Sequence, residues 1–363
     1  MSDFDAVLAG HIRRYPKLQP QDIVKLAYQS VFCCGHMIAD ETSALERLKT
    51  EYAAVRHEGA PRIENLCECS RFYLDCGLSD RELELLGRVF ISSAKRFPAG
   101  YANANVGGDD EASARFSERL DAARRLVSHS NLSFTIDDFD AYVRVCCEAG
   151  FPAVSHSEIY RREYSPAYRV IDSRYARLFE AIVKIDGLMC ASDGIVVAAI
   201  DGRCASGKTT SAGLLAEFFE GAAVVHMDDF FLPNELRTPE RLSEAGGNLH
   251  RERFIAEVLD NLRRPEGFAY RVFDCSTRDY RAEPRVIPPS RLIICEGAYA
   301  LHPAFGKYYD LAIFSTIAPA EQERRILARN GAAMLERFRA LWIPMEERYF
   351  DAFAIKDKCE LVI

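Results

Sequence analysis

Apolar positions in the first 170 residues recur at intervals of three and four, the spacing of one buried face on a helix. Leu45, Leu48, Tyr52 and Val55 share such a face, and Ser43 with Glu46 predicts a capping box before it. Ser79 and Glu82 repeat that start signal ahead of Leu83, Leu86, Val89 and Phe90. Two more helices are predicted through Phe116, Leu120, Ala123 and Leu126, and through Phe139, Tyr142, Val143 and Cys146, the last ending near Gly150 and Pro152. Between them, residues 98–110 are rich in turn formers and read as an exposed loop. Ser173 to Ile185 is a further amphipathic segment, and Asp186 to Asp193 reads as a connection.

Beyond that connection the pattern changes to short apolar runs of strand length separated by helical stretches. The runs are Gly194 to Ile200, Ala222 to His226, Arg291 to Cys295, Leu311 to Thr316 and Cys359 to Ile363. Helical stretches are predicted at Glu252 to Arg263, Pro319 to Asn330 and Ala332 to Phe353. This alternation implies a parallel sheet covered by helices on both faces, because parallel strands need crossover connections. The fold class is therefore an α/β unit over 173–363 preceded by a mostly α-helical domain over 1–172.

The first run leads into Gly202-Arg-Cys-Ala-Ser-Gly207-Lys208-Thr209 and then a helix-compatible stretch to Glu220. A loop that wraps phosphate oxygens must turn several backbone N–H groups inward, which is easiest where Gly202 and Gly207 carry no Cβ. Lys208 adds a positive charge for the β- and γ-phosphates, the Thr209 hydroxyl can ligate Mg²⁺, and the following helix aims the positive end of its dipole at the same group. Gly202, Cys204, Ala205, Ser206, Gly207, Lys208, Thr209 and Thr210 are thus the candidate ATP-binding residues.

Length and composition narrow the class. The 363 residues are enough for two domains, and 48% hydrophobic with 28% charged residues supplies packed cores. A net charge of −8 argues against broad attraction to nucleic acid or an anionic membrane and leaves room for a local basic pocket. The acidic N-terminus and the lack of any run of about 18 apolar residues predict a soluble cytoplasmic protein. A homodimer is compatible with this composition. Twelve cysteines, including the neighbours Cys33-Cys34 and Cys146-Cys147, fall within apolar patterns and read as reduced buried thiols.

Two carboxylates, Asp228 and Asp229, follow the second strand of the α/β half, at the end where open sheets place their sites. One could accept the proton of an attacking hydroxyl while the other holds Mg²⁺ through water; a helix cap is the alternative. The strand ending in Glu296-Gly297 offers a Walker-B-type carboxylate for magnesium. Arg325 and Arg329 lie one helical turn apart and can close over a transferring phosphoryl group, unless Glu321 and Glu323 merely pair with a solvated basic face.

Together, Ala199-Ile-Asp-Gly-Arg-Cys-Ala-Ser-Gly-Lys-Thr-Thr, His226-Met-Asp-Asp-Phe-Phe, Ile294-Cys-Glu-Gly and Arg325-Ile-Leu-Ala-Arg-Asn resemble the uridine kinase and phosphoribulokinase group of P-loop kinases over about 190–363. The resemblance implies that Asp228 activates the hydroxyl, Glu296 associates with magnesium, and Arg325 and Arg329 are lid arginines. It implies an ATP- and Mg²⁺-dependent transfer to a small-molecule hydroxyl, nucleoside or sugar-like. The acceptor side departs from the family: where uridine kinases carry Asn-Phe-Asp-His-Pro, this chain has Gly247-Asn248-Leu249-His250, and the family's tyrosine and histidine fall near Tyr270 and Cys275. Asp229, His250 and Tyr270 are the residues assigned to the acceptor.

No guanine-reading [NT]-K-x-D and no L-S-G-G-Q segment occurs, which lowers GTPase and transporter readings. Cys204, beside a helix N-terminus, is expected to have raised thiolate character. In the helical half, Cys33-Cys34-Gly35-His36 with Cys67, Cys69 and Cys76 could hold zinc, although helical cysteines are more often core. Ser155-His-Ser-Glu158 and Tyr164-Ser-Pro-Ala-Tyr-Arg169 could line a pocket or dock the other domain. This half is similar to helical extensions fused to uridine-kinase-like domains. The alternative to an enzyme is an ATP-sensing regulator whose helical domain binds a partner.

Overall fold

The computed structural model describes residues 3–38, 40–97, 110–274 and 277–363. Residues 98–109 of the expected loop, and Cys275, lie outside the described residues. The chain divides into two compact units, Met1–Phe179 and Glu180–Ile363, and the division falls within helix Ser173–Ala191. That helix extends through most of the segment expected as a connection.

The first unit is built mainly from helices. Pro20–Phe32 is buried along nearly its whole length, and with Asp3–Arg14, Asp110–Ser128 and Ile136–Glu148 it encloses a core that includes Phe4, Ile23, Phe32, Phe116 and Phe139. Helix Asp80–Ala94 starts at the predicted capping box, Ser79 accepting from the Glu82 amide while the Glu82 carboxylate accepts from the Ser79 amide. Helix Glu41–Ala53 starts earlier than predicted, because the Asp40 carboxylate accepts from the Ser43 amide at 2.7 Å and takes the cap that Ser43 was expected to provide.

A three-stranded antiparallel sheet that the periodicity did not announce joins these helices. Cys69–Tyr73 lies between Ile63–Asn65 and Tyr168–Asp172. Cys69–Tyr73 is buried at every position, so it shows none of the alternation that marks a half-exposed strand.

The second unit is a five-stranded parallel sheet in the order Leu361–Val362, Leu311–Ser315, Val196–Gly202, Leu292–Glu296, Ala223–His226. The three central strands are buried throughout, as a sheet covered by helices on both faces requires. One face packs Val197, Ala199, Ile293, Cys295 and Phe314 into a core with Phe254, Val258 and Tyr349. Helix Lys208–Phe218 follows the central strand after only five residues. Its last strand-to-helix neighbour in sequence, helix Pro319–Asn330, has the predicted bounds, and the stretch after it runs as Ala332–Arg337, a π-helical turn at Phe338–Trp342, and Ile343–Phe353.

Candidate functional site

The carboxyl end of the central strand is shaped by contacts that exclude side chains. Gly202 has φ +135°, and a Cβ there would lie 2.0 Å from the carbonyl oxygen of Ser315 on the neighbouring strand. Gly207 has φ +98° as it caps helix Lys208–Phe218, and Ala205 between them is also left-handed at φ 58°. Asp201, fully buried, accepts from the amides of Gly202, Tyr299 and Leu301 and from the Tyr349 hydroxyl at 2.7 to 3.1 Å. It ties the loop to the segment after Glu296 and to helix Ile343–Phe353.

These elements enclose a cavity of about 670 Å³. Lys208 lies on it, with Nζ donating to the carbonyls of Gly202 at 2.7 Å and Arg203 at 2.9 Å. Thr209 donates from Oγ1 to the Glu296 carboxylate at 3.1 and 3.2 Å. His226 Nδ1 meets the same carboxylate at 2.5 Å. Asp228 faces the cleft and is reachable from solvent, while the enclosing walls first, and then the Glu296 carboxylate, push its carboxyl above the ordinary range.

Helix Pro319–Asn330 brings Arg324, Arg325 and Arg329 to the same cavity. Glu321 pairs with both Arg324 and Arg325 at 2.6 and 2.7 Å, and Glu323 pairs instead with Arg339. Arg325 also donates to the carbonyl of Ala205 at 3.2 Å, linking the helix to the loop. Among the described residues Arg329 donates to the neutral Asn330 side chain at 2.8 Å and has no carboxylate partner.

The structure thus gathers Cys204, Ala205, Gly207, Lys208, Thr209, Thr210, Asp228, Glu296, Arg325 and Arg329 around one space. Gly202 and Ser206 belong to the loop but do not line this cavity. The three residues assigned to the acceptor do not line this cavity. Tyr270, 2% exposed, donates to Asp229 Oδ2 at 3.0 Å, and Arg285 approaches the same oxygen at 3.4 Å. His250 begins the short helix Arg251–Phe254, and its Nδ1 is buried with no hydrogen-bond partner among the described residues.

Cys204 departs from expectation. Burial, with the Glu346 carboxylate beside it, pushes its thiol up to about 12, so the thiolate is disfavoured despite the nearby helix N-terminus. Glu346 accepts from the Cys204 amide at 2.8 Å, and neighbouring Glu347 pairs with Arg203 at 2.7 Å. Periodicity assigned Glu346 only to a helix and gave no sign that this face of it meets the loop. Asn248 also carried no assigned role: it lines the cavity at 5% exposure, with Oδ1 buried and without a hydrogen-bond partner among the described residues. Trp342 and Phe338, ring centroids 4.7 Å apart, add an aromatic wall.

The donors at Thr209, Glu296 and Asp228 are hard oxygens, which suit Mg²⁺ held by one or two protein groups and by phosphate oxygens. Among the described residues no group of three or more His, Cys, Asp or Glu side chains is arranged to hold a metal ion by itself, in the cleft or around Cys33 and His36. Among those residues, too, no helix is long and apolar enough to cross a membrane.

No protein-family model and no curated protein matches the chain. Among solved structures, about half of it is similar to a protein described as a possible uridine kinase from Bacillus stearothermophilus, at 19% identity and TM-score 0.38, covering 51% of this chain and 99% of that one. It is similar to a fructose transport system kinase from Silicibacter sp. TM1040 at 24% identity and TM-score 0.41, covering 50% and 98%. A D-glycerate 3-kinase from Cryptococcus neoformans var. grubii gives 15% identity and TM-score 0.36, covering 47% and 89%.

Proposed function

We propose that residues 180–363 form an ATP- and Mg²⁺-dependent kinase that phosphorylates a hydroxyl of a small metabolite, with sugar-like and nucleoside-like acceptors first in line. The observation that carries this reading is the convergence of Lys208, Thr209, Asp228, Glu296, Arg325 and Arg329 on one cavity of about 670 Å³. A space of that size suits a nucleotide's phosphates and a small acceptor together.

The roles follow from position. The loop amides and Lys208 bind the phosphates, and Lys208 can leave its two carbonyl partners for them without crossing the site. Thr209 and Glu296 would hold Mg²⁺, which supplies charge neutralisation at the β- and γ-oxygens when bound. His226 fixes the orientation of the Glu296 carboxylate. Asp228 takes the proton of the acceptor hydroxyl; its raised affinity for a proton brings it nearer the strength a general base needs at neutral pH. Arg325 and Arg329 offset charge developing on the transferred group, and the half-exposed rings of Trp342 and Phe338 line one side of the cavity. On the acceptor side, Asn248 Oδ1, without a partner among the described residues, offers an acceptor to a substrate hydroxyl.

The test is to incubate the protein with ATP, Mg²⁺ and pooled nucleosides, sugars and other polyols, following new phosphorylated masses against a Lys208→Ala control. A product formed only by the intact chain supports the reading and names the acceptor. ATP binding without any acceptor-dependent product counts against it.

A further inference from the structure

The first unit holds a second cavity, of about 510 Å³, remote in sequence from the phosphate loop. Its walls are the helices Pro20–Phe32 and Glu41–Ala53 and the segment 155–170. Four cationic side chains line it, Lys25, Arg47, Arg161 and Arg169, against one carboxylate, Glu51. Glu51 is already committed, pairing with Arg169 at 2.6 Å.

The remaining cations are not neutralised by described residues. The partner recorded for Lys25 is the carbonyl of Val154 at 2.8 Å, and Arg47 contacts the carbonyls of Ser43 and Met37. Neither these two nor Arg161 is in an ion pair with a described residue. Behind the wall lies Arg71, 1% exposed, whose guanidinium binds Gln29 Oε1 at 2.8 and 3.2 Å. Burial first, then Arg71 and Arg161, lower the Lys25 ammonium to about 8 against an opposing pull from Asp22.

The acidic residue nearest Lys25 on its own helix is sealed off. Asp22, 1% exposed, accepts from the Ser157 amide and hydroxyl and from His156 Nδ1 at 2.7 to 3.0 Å. His156 is fixed by that bond, by stacking on Tyr160 at 4.2 Å, and by the Tyr168 hydroxyl at Nε2. Burial lowers its pKa to about 4, so it stands neutral with Nδ1–H donating to Asp22. Tyr168 and Gln29 complete a polar wall whose orientation is set from behind.

Lys25 is half-buried while Arg47 and Arg161 are exposed, and a half-buried ammonium facing other cations is favoured when something else supplies negative charge. We propose that this cavity binds a small phosphate monoester, its dianionic phosphate held by Lys25 and Arg161, and its hydroxylated body against Tyr168 and Gln29. A dianion is favoured over a single carboxylate because several cations face one space, and the volume suits a small organic metabolite rather than a bare ion. The proposal is independent of whether the other unit transfers phosphate.

The test uses the full chain carrying Lys208→Ala, so that the phosphate loop is silenced. Calorimetric titrations with ribose 5-phosphate, glycerol 3-phosphate, inorganic phosphate and succinate are compared with the same titrations on Lys208→Ala combined with Lys25→Met and Arg161→Ala. Binding of at least one phosphate monoester, more tightly than inorganic phosphate and weakened at least about tenfold by the two added substitutions, is expected. Lys25→Met with Arg161→Ala in a chain that keeps Lys208 should bind ATP within about twofold of the unsubstituted protein, which separates loss of the pocket from loss of folding. No monoester binding, binding that survives both substitutions, or binding of succinate alone overturns the proposal.

Discussion

At Gly202 the loop leaving the central strand lies against Ser315 of the neighbouring strand. An added methyl would meet the Ser315 carbonyl oxygen at 2.0 Å, and φ +135° is a conformation that side chains rarely adopt. Gly202→Ala is therefore expected to destabilise the second unit by at least about 2 kcal/mol and to abolish ATP binding, read by denaturant unfolding and nucleotide titration. Glu346 gives a pH-dependent counterpart. Burial holds its carboxyl above the ordinary 4.5, so the folded chain keeps a proton that the unfolded chain releases. Stability contributed by this group therefore falls as pH rises from about 4.5 through the raised value. Gln at this position keeps an acceptor for the Cys204 amide without the charge, so Glu346→Gln should raise the unfolding midpoint more at pH 8 than at pH 5; an equal change at both would contradict the sign. The curvature of the loop at 202–209 was legible, because glycine spacing reports backbone curvature directly. Asn248 and Glu346 were not, since tertiary packing brings them to the cavity from segments with no motif, and the misjudged Cys204 thiol has the same origin in the Glu346 carboxylate.

At the level of elements, helix Pro319–Asn330 carries the cationic side of the cleft. Glu321 engages Arg324 and Arg325, whereas the side-chain partner of Arg329 among the described residues is the neutral Asn330. Arg329→Ala should therefore lower kcat by about 10- to 1,000-fold while leaving the Kd for ATP within a few-fold, since its charge matters most when negative charge moves during transfer. An equal loss in ATP affinity and rate would assign it to ground-state binding instead. Elements bounded by local chemistry were read well: Pro319 at a helix start and the Ser79–Glu82 box each mark a boundary that the structure keeps. The strands Cys69–Tyr73 and Tyr168–Asp172 were missed for a physical reason. Their pairing joins segments about a hundred residues apart, and neither has the alternation that one exposed face would impose.

For the molecule as a whole, each unit has a core and a cavity of its own, and the two cavities differ in charge logic. The cleft of the second unit sets Lys208 and the arginines against the carboxylates of Asp228, Glu296 and Glu346. The cavity of the first is nearly unopposed in its positive charge, and a net of −8 over the chain conceals it. The central claim is that Asp228 draws a proton from an acceptor hydroxyl while the loop holds ATP. The most direct measurement is acceptor-dependent ADP formation by Asp228→Asn beside the unsubstituted chain, with ATP affinity determined on the same samples. The account predicts at least about a 100-fold loss of rate with ATP affinity nearly unchanged. Turnover within a few-fold of the unsubstituted chain would contradict it.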